Sequence, residues 1–270
     1  MSSSLNAKGH RLENLCYMSK PTERFSDRVD DYVRARPGYP EAVIAMLRKR
    51  IGLSPAWAVA DVGAGTGISS KLFLDAGNAV TAVEPNAAMR DAAERALKHH
   101  VRFGACEGTA ENTGLPEASV RLVVAAQAFH WFDRAAFRRE CQRILDPGGH
   151  VVLIWNDRKT SGSSFLEKYE RLLEEHATDY ASVNHRNVGE EGVTQFFSPV
   201  RCQHEVFPNV QRFDFEGLKA RLLSSSYAPQ AGHPRCEPML GALRNIFDAT
   251  QDDGLVEMTY ETHLYWGQVT

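Results

Sequence analysis

Residues 57–70 read WAVADVGAGTGISS. The apolar run Trp57–Val62 stops abruptly at glycine, as a buried parallel strand does when it reaches a sheet edge. Three glycines at alternate positions, Gly63, Gly65 and Gly67, then give a tight turn that lets backbone approach a ligand closely. A helical pattern follows at 68–77, with Ile68, Leu72 and Phe73 on one face and Gly77 as its stop. Strand, glycine turn and helix in this order are the first unit of a parallel α/β sheet.

The same alternation continues outward. NAVTAVEP (78–85) reads as a second strand. NAAMRDAAERALKHH (86–100) reads as a helix with Asn86 as its N-cap. VRFGACEG (101–108) and SVRLVVAAQA (119–128) read as third and fourth strands. A helix over 133–145 is capped by Asp133, DPGG (146–149) is a turn, and HVVLIWN (150–156) is a fifth strand. After Arg158 the pattern changes: an amphipathic helix at 165–177, strands at 201–207 and 256–266, and helical stretches near 215–225 and 235–248 between them. In open parallel sheets ligands bind beyond the strand C-termini. The chemistry therefore belongs near Gly63, Glu84, Thr109, Gln127–Trp131 and Asn156.

Composition narrows the classes. The 270 residues include 31 Lys+Arg and 34 Asp+Glu, a formal net charge of −3, with 43% apolar residues. That is a globular composition without the basic field of a nucleic-acid binder. The five cysteines have no C-x-x-C spacing, which argues against a disulfide framework or a structural zinc. No run approaches the roughly 20 apolar residues of a membrane span, and the polar N-terminus lacks a secretory core. The expectation is a cytoplasmic protein acting on a small molecule, with no nucleic-acid, membrane or metal partner, as a monomer or weak homodimer. The expected organisation is a flexible tail over 1–24, a lid or helical segment over 25–56, a Rossmann-like core over 57–158, and a C-terminal part over 159–270 that carries the last strands and the substrate-side helices.

Three glycine-loop chemistries can be compared with 61–68. A P-loop needs a lysine that is missing here. A dinucleotide loop, G-x-G-x-x-G/A, would need Gly or Ala at position 68, where Ile68 stands. The pattern D/E-x-G-x-G-x-G fits Asp61–Gly67 without exception. Glu84 ends the second strand 21 residues after Gly63, where a carboxylate can accept from both hydroxyls of a ribose. Glutamate there signals a nucleoside cofactor without saying which.

The chain resembles the class I S-adenosylmethionine (SAM)-dependent methyltransferases that act on small molecules, and is more narrowly similar to the trans-aconitate-methyltransferase-like group. The resemblance is carried by YVRARPGYP (32–40), VADVGAGTGISS (59–70), AVEP (82–85), EGTAENTGLP (107–116), AAQAFHWFD (125–133) and LDPGGHVVLIWN (145–156), with SSSYAP (224–229) and ETHLYWG (261–267). It implies a Rossmann-like seven-stranded sheet, mostly parallel with an antiparallel last strand, helices on both faces and a small helical cap. It implies SAM as cofactor. Gly63, Gly65 and Gly67 would line its methionine and ribose, Asp61 would lie near its amino group, and Glu84 would hold the ribose. Thr109, Ala110 and Glu111 would border the adenine, and Gln127 would lie by the sulfonium. Arg121 departs from the acidic residue usual in related chains.

Methyl transfer from a sulfonium is an in-line displacement, so orienting groups come first and a base second. His130 is a candidate base or orienting group, or else a packed histidine. Tyr32 joins it as a catalytic candidate. Trp131 and Phe132 could wall a pocket around the sulfonium or the acceptor, or be core packing for the following helix, and Tyr39 could join the acceptor pocket. Arg36 offers a fork for a carboxylate, that of SAM in preference to that of an acidic substrate, with its segment acting as a lid. Asn156 and Tyr227, with Ser226, could reach the acceptor, although Asn156 could equally cap a turn. The AAQA ending of the fourth strand is not the box of adenine amino-methyltransferases. The expected activity is O-methylation of a small molecule, a carboxylate first. The alternatives are a non-catalytic SAM-binding protein and a methyltransferase of RNA or protein.

Overall fold

The computed structural model describes residues 35–178, 180 and 189–269. Tyr32 and the expected tail over 1–24 lie outside them.

Seven strands form one sheet in the order β3-β2-β1-β4-β5-β7-β6. They are β1 (Ala58–Val62), β2 (Ala79–Val83), β3 (Phe103–Cys106), β4 (Val120–Ala126), β5 (Leu145–Arg158), β6 (Gln203–Phe213) and β7 (Val256–Gly267). β1 to β5 pair in parallel, and β7 runs antiparallel to both β5 and β6. The sheet is therefore the one the resemblance implies. Because β1 pairs with both β2 and β4, the chain turns outward in both directions from it, which opens a crevice at the β1/β4 switch point.

The described helices are α1 (Ala42–Ile51), α2 (Ile68–Asp75), α3 (Ala87–Leu97), α4 (Arg134–Ile144), α5 (Ser164–His176), α6 (Gly189–Phe197), α7 (Phe215–Leu223) and α8 (Cys236–Thr250). Both sheet faces are covered. On one, Val43, Leu47, Leu72 and Phe73 pack over Val59, Leu122, Val124 and Ile154. On the other, Phe137, Cys141, Ile144, Phe196 and Phe197 pack over Val62, Val123, Ala125 and Leu153. The strands can read as continuous apolar runs because successive side chains serve opposite cores. A third cluster joins α5, α7 and α8 to the far ends of β6 and β7, through Leu172, Leu222, Leu243 and Met258.

Several elements differ from expectation. DPGG does not end a helix–strand turn. It is taken up inside β5, where Val120 pairs with Leu145 but Leu122 pairs with His150. Arg121 holds this bulge: its guanidinium donates to Asp146 Oδ1 at 2.9 Å and to the Pro147 carbonyl, and lies over the Trp57 ring. β6 runs to Phe213, past Pro208. α6 was not anticipated. Asn86 and Asp133 cap α3 and α4, accepting from Met89 N and from Ala135 N and Ala136 N. Among the described residues no helix is long and apolar enough to cross a membrane.

Candidate active site

The loops that follow β1, β2, β3 and β4 enclose a cavity of about 400 Å3, within the range of small-ligand sites. The glycine turn fixes one wall. Gly63 N and Ala64 N donate to the Val83 carbonyl, and Gly67 N donates back to Ala64 O, which curls the loop over the ends of β1 and β2. Gly65 N donates to Glu84 Oε2 at 2.8 Å, and Asn86 N donates to Glu84 Oε1 at 2.9 Å. Two backbone donors thus hold the Glu84 carboxylate in place. Burial raises its pKa above the usual carboxylate value, against these two hydrogen bonds.

The glycines serve different neighbours. A Cβ at Gly65 would meet nothing within 4 Å, so that edge of the loop is open to the cavity. A Cβ at Gly67 would stand 2.7 Å from Leu97 Cδ1 and 3.2 Å from Ala93 Cβ. Gly67 therefore lets α2 start close against α3 and does not line the cavity. Asp61 lies beneath the loop, fully buried, its Oδ2 accepting from Ser69 and Ser70 hydroxyls at 2.7 and 2.6 Å. It too is set back from the cavity.

The opposite wall comes from the ends of β3 and β4. Thr109, Ala110, Glu111 and Gln127 line it. Glu111 Oε1 accepts from Asp133 N at 3.0 Å, which ties the post-β3 loop to the start of α4. Gln127 has φ 55°, a left-handed conformation that costs a non-glycine residue about 1 kcal/mol. It is fixed there by Gln127 N donating to Ile154 O and Nε2 donating to Asn156 O. Such a held strained residue is common where backbone must be aimed at a ligand. Tyr39, Trp131 and Phe132 add an aromatic edge, with Trp131 still 37% exposed.

Other sequence candidates stand elsewhere. His130 sits in the short 3-10 turn Phe129–Trp131, its ring 4.7 Å from that of Trp131 but outside the cavity lining. Asn156 is buried and used structurally: Nδ2 donates to Gly38 O, and Oδ1 accepts from Asn209 Nδ2 and Thr262 Oγ1. Arg36 donates to the Ser224 carbonyl at 2.7 Å. Tyr227 packs edge-on against Tyr180, away from the glycine loop. Sequence reasoning passed over Thr66, Ile68, Ser69, Asn86 and Met89, which also line the cavity. Their only signal was adjacency to the glycines and to the strand ends. Thr66 Oγ1 is buried with no hydrogen-bond partner among the described residues, a donor left for a ligand.

Among the described residues the lining includes Glu84 and Glu111 and no Lys, Arg or His. A ligand carrying positive charge suits that field.

Residues 60–153 match the family described as the methyltransferase domain. This stretch is similar to methyltransferase domains. It spans the glycine loop, Glu84 and the fourth strand. An uncharacterised methyltransferase of Mycobacterium tuberculosis is 40% identical over 134 residues, 50% of this chain and 52% of its own. One from Schizosaccharomyces pombe is 32% identical over 152 residues, 56% of this chain and 59% of its own. The chain thus spans a little over half the length of these curated relatives. Among solved structures, a candidate type II methyltransferase from Anaeromyxobacter dehalogenans superposes with TM-score 0.66 at 25% identity, over 87% of this chain and 98% of its own. The YcgJ protein of Bacillus subtilis shares the fold, with TM-score 0.53 at 17% identity over 84% of this chain and 98% of its own.

Proposed function

We propose that the protein is a SAM-dependent methyltransferase acting on a small molecule, with transfer to oxygen and a carboxylate as the first candidate acceptor. The observation that carries the cofactor assignment is the charge of the cavity: a nucleoside-sized site with two carboxylates, an open glycine edge and, among the described residues, no cationic side chain in its lining. SAM brings a ribose diol, a sulfonium and an ammonium group. NAD brings neither the sulfonium nor the ammonium group, and its G-x-G-x-x-G/A loop is missed at Ile68.

In this reading Glu84 accepts from the ribose hydroxyls, its rotamer already set by Gly65 N and Asn86 N. The Gly65 edge and the unpartnered Thr66 hydroxyl meet the methionine and ribose portion. Thr109, Ala110 and Glu111 border the base, with Met89 beside them as an apolar surface. When bound, the sulfonium supplies a methyl group to an aligned nucleophile by in-line displacement. Gln127 and the aromatic edge of Tyr39, Trp131 and Phe132 orient that nucleophile and exclude water.

The acceptor assignment rests on acid–base chemistry. The carboxylates in the lining are engaged, Glu84 by two backbone N–H groups and Glu111 by Asp133 N. No histidine or lysine lines the cavity among the described residues. A carboxylate acceptor is ionised at neutral pH and needs no base. His130 and Tyr32 remain candidates for orienting it, and Arg36 for meeting a carboxylate of cofactor or acceptor.

Calorimetric titration with S-adenosylhomocysteine, with NAD in parallel, tests the reading. Binding of the first and none of the second is expected, with Glu84→Gln weakening affinity by about tenfold or more, since a charge-assisted bond to ribose is lost. Binding of NAD alone would overturn it. Transfer of label from methyl-labelled SAM to a panel of organic acids, against alcohols and amines, then tests the acceptor.

A further inference from the structure

A second polar cluster is buried away from the glycine loop, where the end of β5 meets α5, α7 and β7. It holds two arginines. Arg158 pairs with Glu170, and the Tyr180 hydroxyl bridges them, accepting from Arg158 at 3.0 Å and donating to Glu170 at 2.9 Å. Arg221 has no such partner. It is 6% exposed; its Nε donates to the Tyr260 hydroxyl at 3.3 Å and its Nη1 to Ser225 Oγ at 3.0 Å, and no carboxylate pairs with it among the described residues. Tyr169 completes the cluster. Its ring lies under the Arg158 guanidinium, its hydroxyl is buried without a hydrogen-bond partner among the described residues, and it is within electrostatic reach of Arg221.

Glu170 neutralises Arg158, so one buried positive charge is left over. A buried guanidinium without an anion is costly, and an anionic ligand would return the counter-charge. A guanidinium fork beside a free phenol is a matching donor set for a carboxylate. Burial raises the Tyr169 pKa, so its hydroxyl stays a donor at neutral pH.

The cluster is linked to the cavity through one short segment. Tyr260 donates to Gln211 Oε1, and Gln211 Nε2 donates to Ala35 O. Arg36 donates to Ser224 O, Asn156 and Asn209 both donate to Gly38 O, and Tyr39 lines the cavity. Residues 35–39, at most about 14 Å long when extended, thus touch both the hydrogen-bond network of the cluster and the cavity lining.

We propose that Arg221, with Tyr169, anchors an anionic carboxylate of the methyl acceptor and so selects organic acids. The inference rests on the methyltransferase reading.

The test uses the full chain saturated with S-adenosylhomocysteine and succinate as the probe, against sodium chloride at matched ionic strength. Succinate should raise the wild-type Tm by about 2–4 °C, the shift expected for a ligand worth roughly 1 kcal/mol. Arg221→Met should abolish that rise while leaving the Tm without succinate unchanged or higher, because it removes an uncompensated buried charge. Tyr169→Phe, which keeps the ring, should weaken the succinate midpoint by about tenfold or more, the loss of one hydrogen bond to a charged group. Both variants should bind S-adenosylhomocysteine as the wild type does. A succinate response preserved in Arg221→Met, or absent from a wild type that binds S-adenosylhomocysteine, would overturn the inference and leave the methyltransferase reading standing. A steep fall of Tm in Arg221→Met with an unchanged midpoint in Tyr169→Phe would assign the cluster to stability alone. Failure of the wild type to bind S-adenosylhomocysteine would overturn both.

Discussion

Asp61 shows how far a single residue could be read. Its position in the motif placed it beneath a cofactor loop. Its burial, and the use of one oxygen by Ser69 and Ser70, became visible only in the fold. Burial pushes its pKa up from 3.8 to about 6, the serine hydrogen bonds pulling the other way and the nearby Glu84 charge adding to the rise. Its folded pKa thus lies above its unfolded one. The stability it contributes is fully present below about pH 4 and is lost as pH rises through about 6. The size is of the order of 3 kcal/mol for a two-unit shift. The difference in unfolding free energy between wild type and Asp61→Asn should therefore move by about 2–3 kcal/mol in favour of the variant from pH 4 to pH 7. Urea titrations at the two pH values measure it, and a constant difference would refute it.

At the scale of elements, the glycine loop was legible as a turn before its two sides could be told apart. Gly65 and Gly67 both have positive φ, 56° and 82°. Alanine at either should cost roughly 1–2 kcal/mol of backbone strain. The consequences diverge beyond that. A methyl at Gly67 pushes on Leu97 and Ala93 of α3, whereas one at Gly65 enters the space given to the ligand. Gly65→Ala should thus lose S-adenosylhomocysteine affinity by about tenfold or more, and Gly67→Ala should lose stability with affinity held within about twofold. Thermal melts and calorimetry on the pair separate the two effects. Alternation of side chains cannot supply this distinction, because both glycines belong to the same motif and only packing tells their neighbours apart.

Other elements escaped the sequence for definite reasons. Residues 189–197, GEEGVTQFF, carry two glycines and several β-branched or aromatic residues, a poor helix by propensity. Burial of Val193, Phe196 and Phe197 against the α4 side of the sheet overrides that preference. β6 was expected to stop at Phe207, before Pro208. It continues because β6 is the edge of the sheet, where a missing N–H breaks no ladder.

For the whole molecule, β1 to β5 and their helices were readable because each strand is an apolar run closed by glycine, proline or a capped helix. The strand order and the neighbours of β7 were implied by the resemblance and lay beyond periodicity. The site was legible in the same uneven way. Residues within a few positions of the strand ends, such as Gly65, Glu84, Glu111 and Gln127, were placed by the rule of carboxyl-end loops. The same rule pointed to Asn156 at the end of β5, but its partners Asn209 and Thr262 depend on how β5, β6 and β7 stack, and Tyr227 comes from the distant C-terminal assembly.

The place of β7 has a consequence for how the chain is made. β6 lies at the edge of the sheet and pairs with β7 alone, and β7 also seals β5. From the last residue of β6 to the last of β7 the ribosome must add 54 residues (267 − 213), which takes about 3–11 s at ordinary rates of synthesis. During that interval two strand edges wait for the same partner, and both are open to pairing with other chains. Chains arrested before Val256 should therefore collect with chaperones or in the insoluble fraction, and release past Gly267 should recover soluble protein. Ribosome-stalled lengths on either side of β7, assayed by protease resistance, would show whether the nascent sheet closes in a single late event.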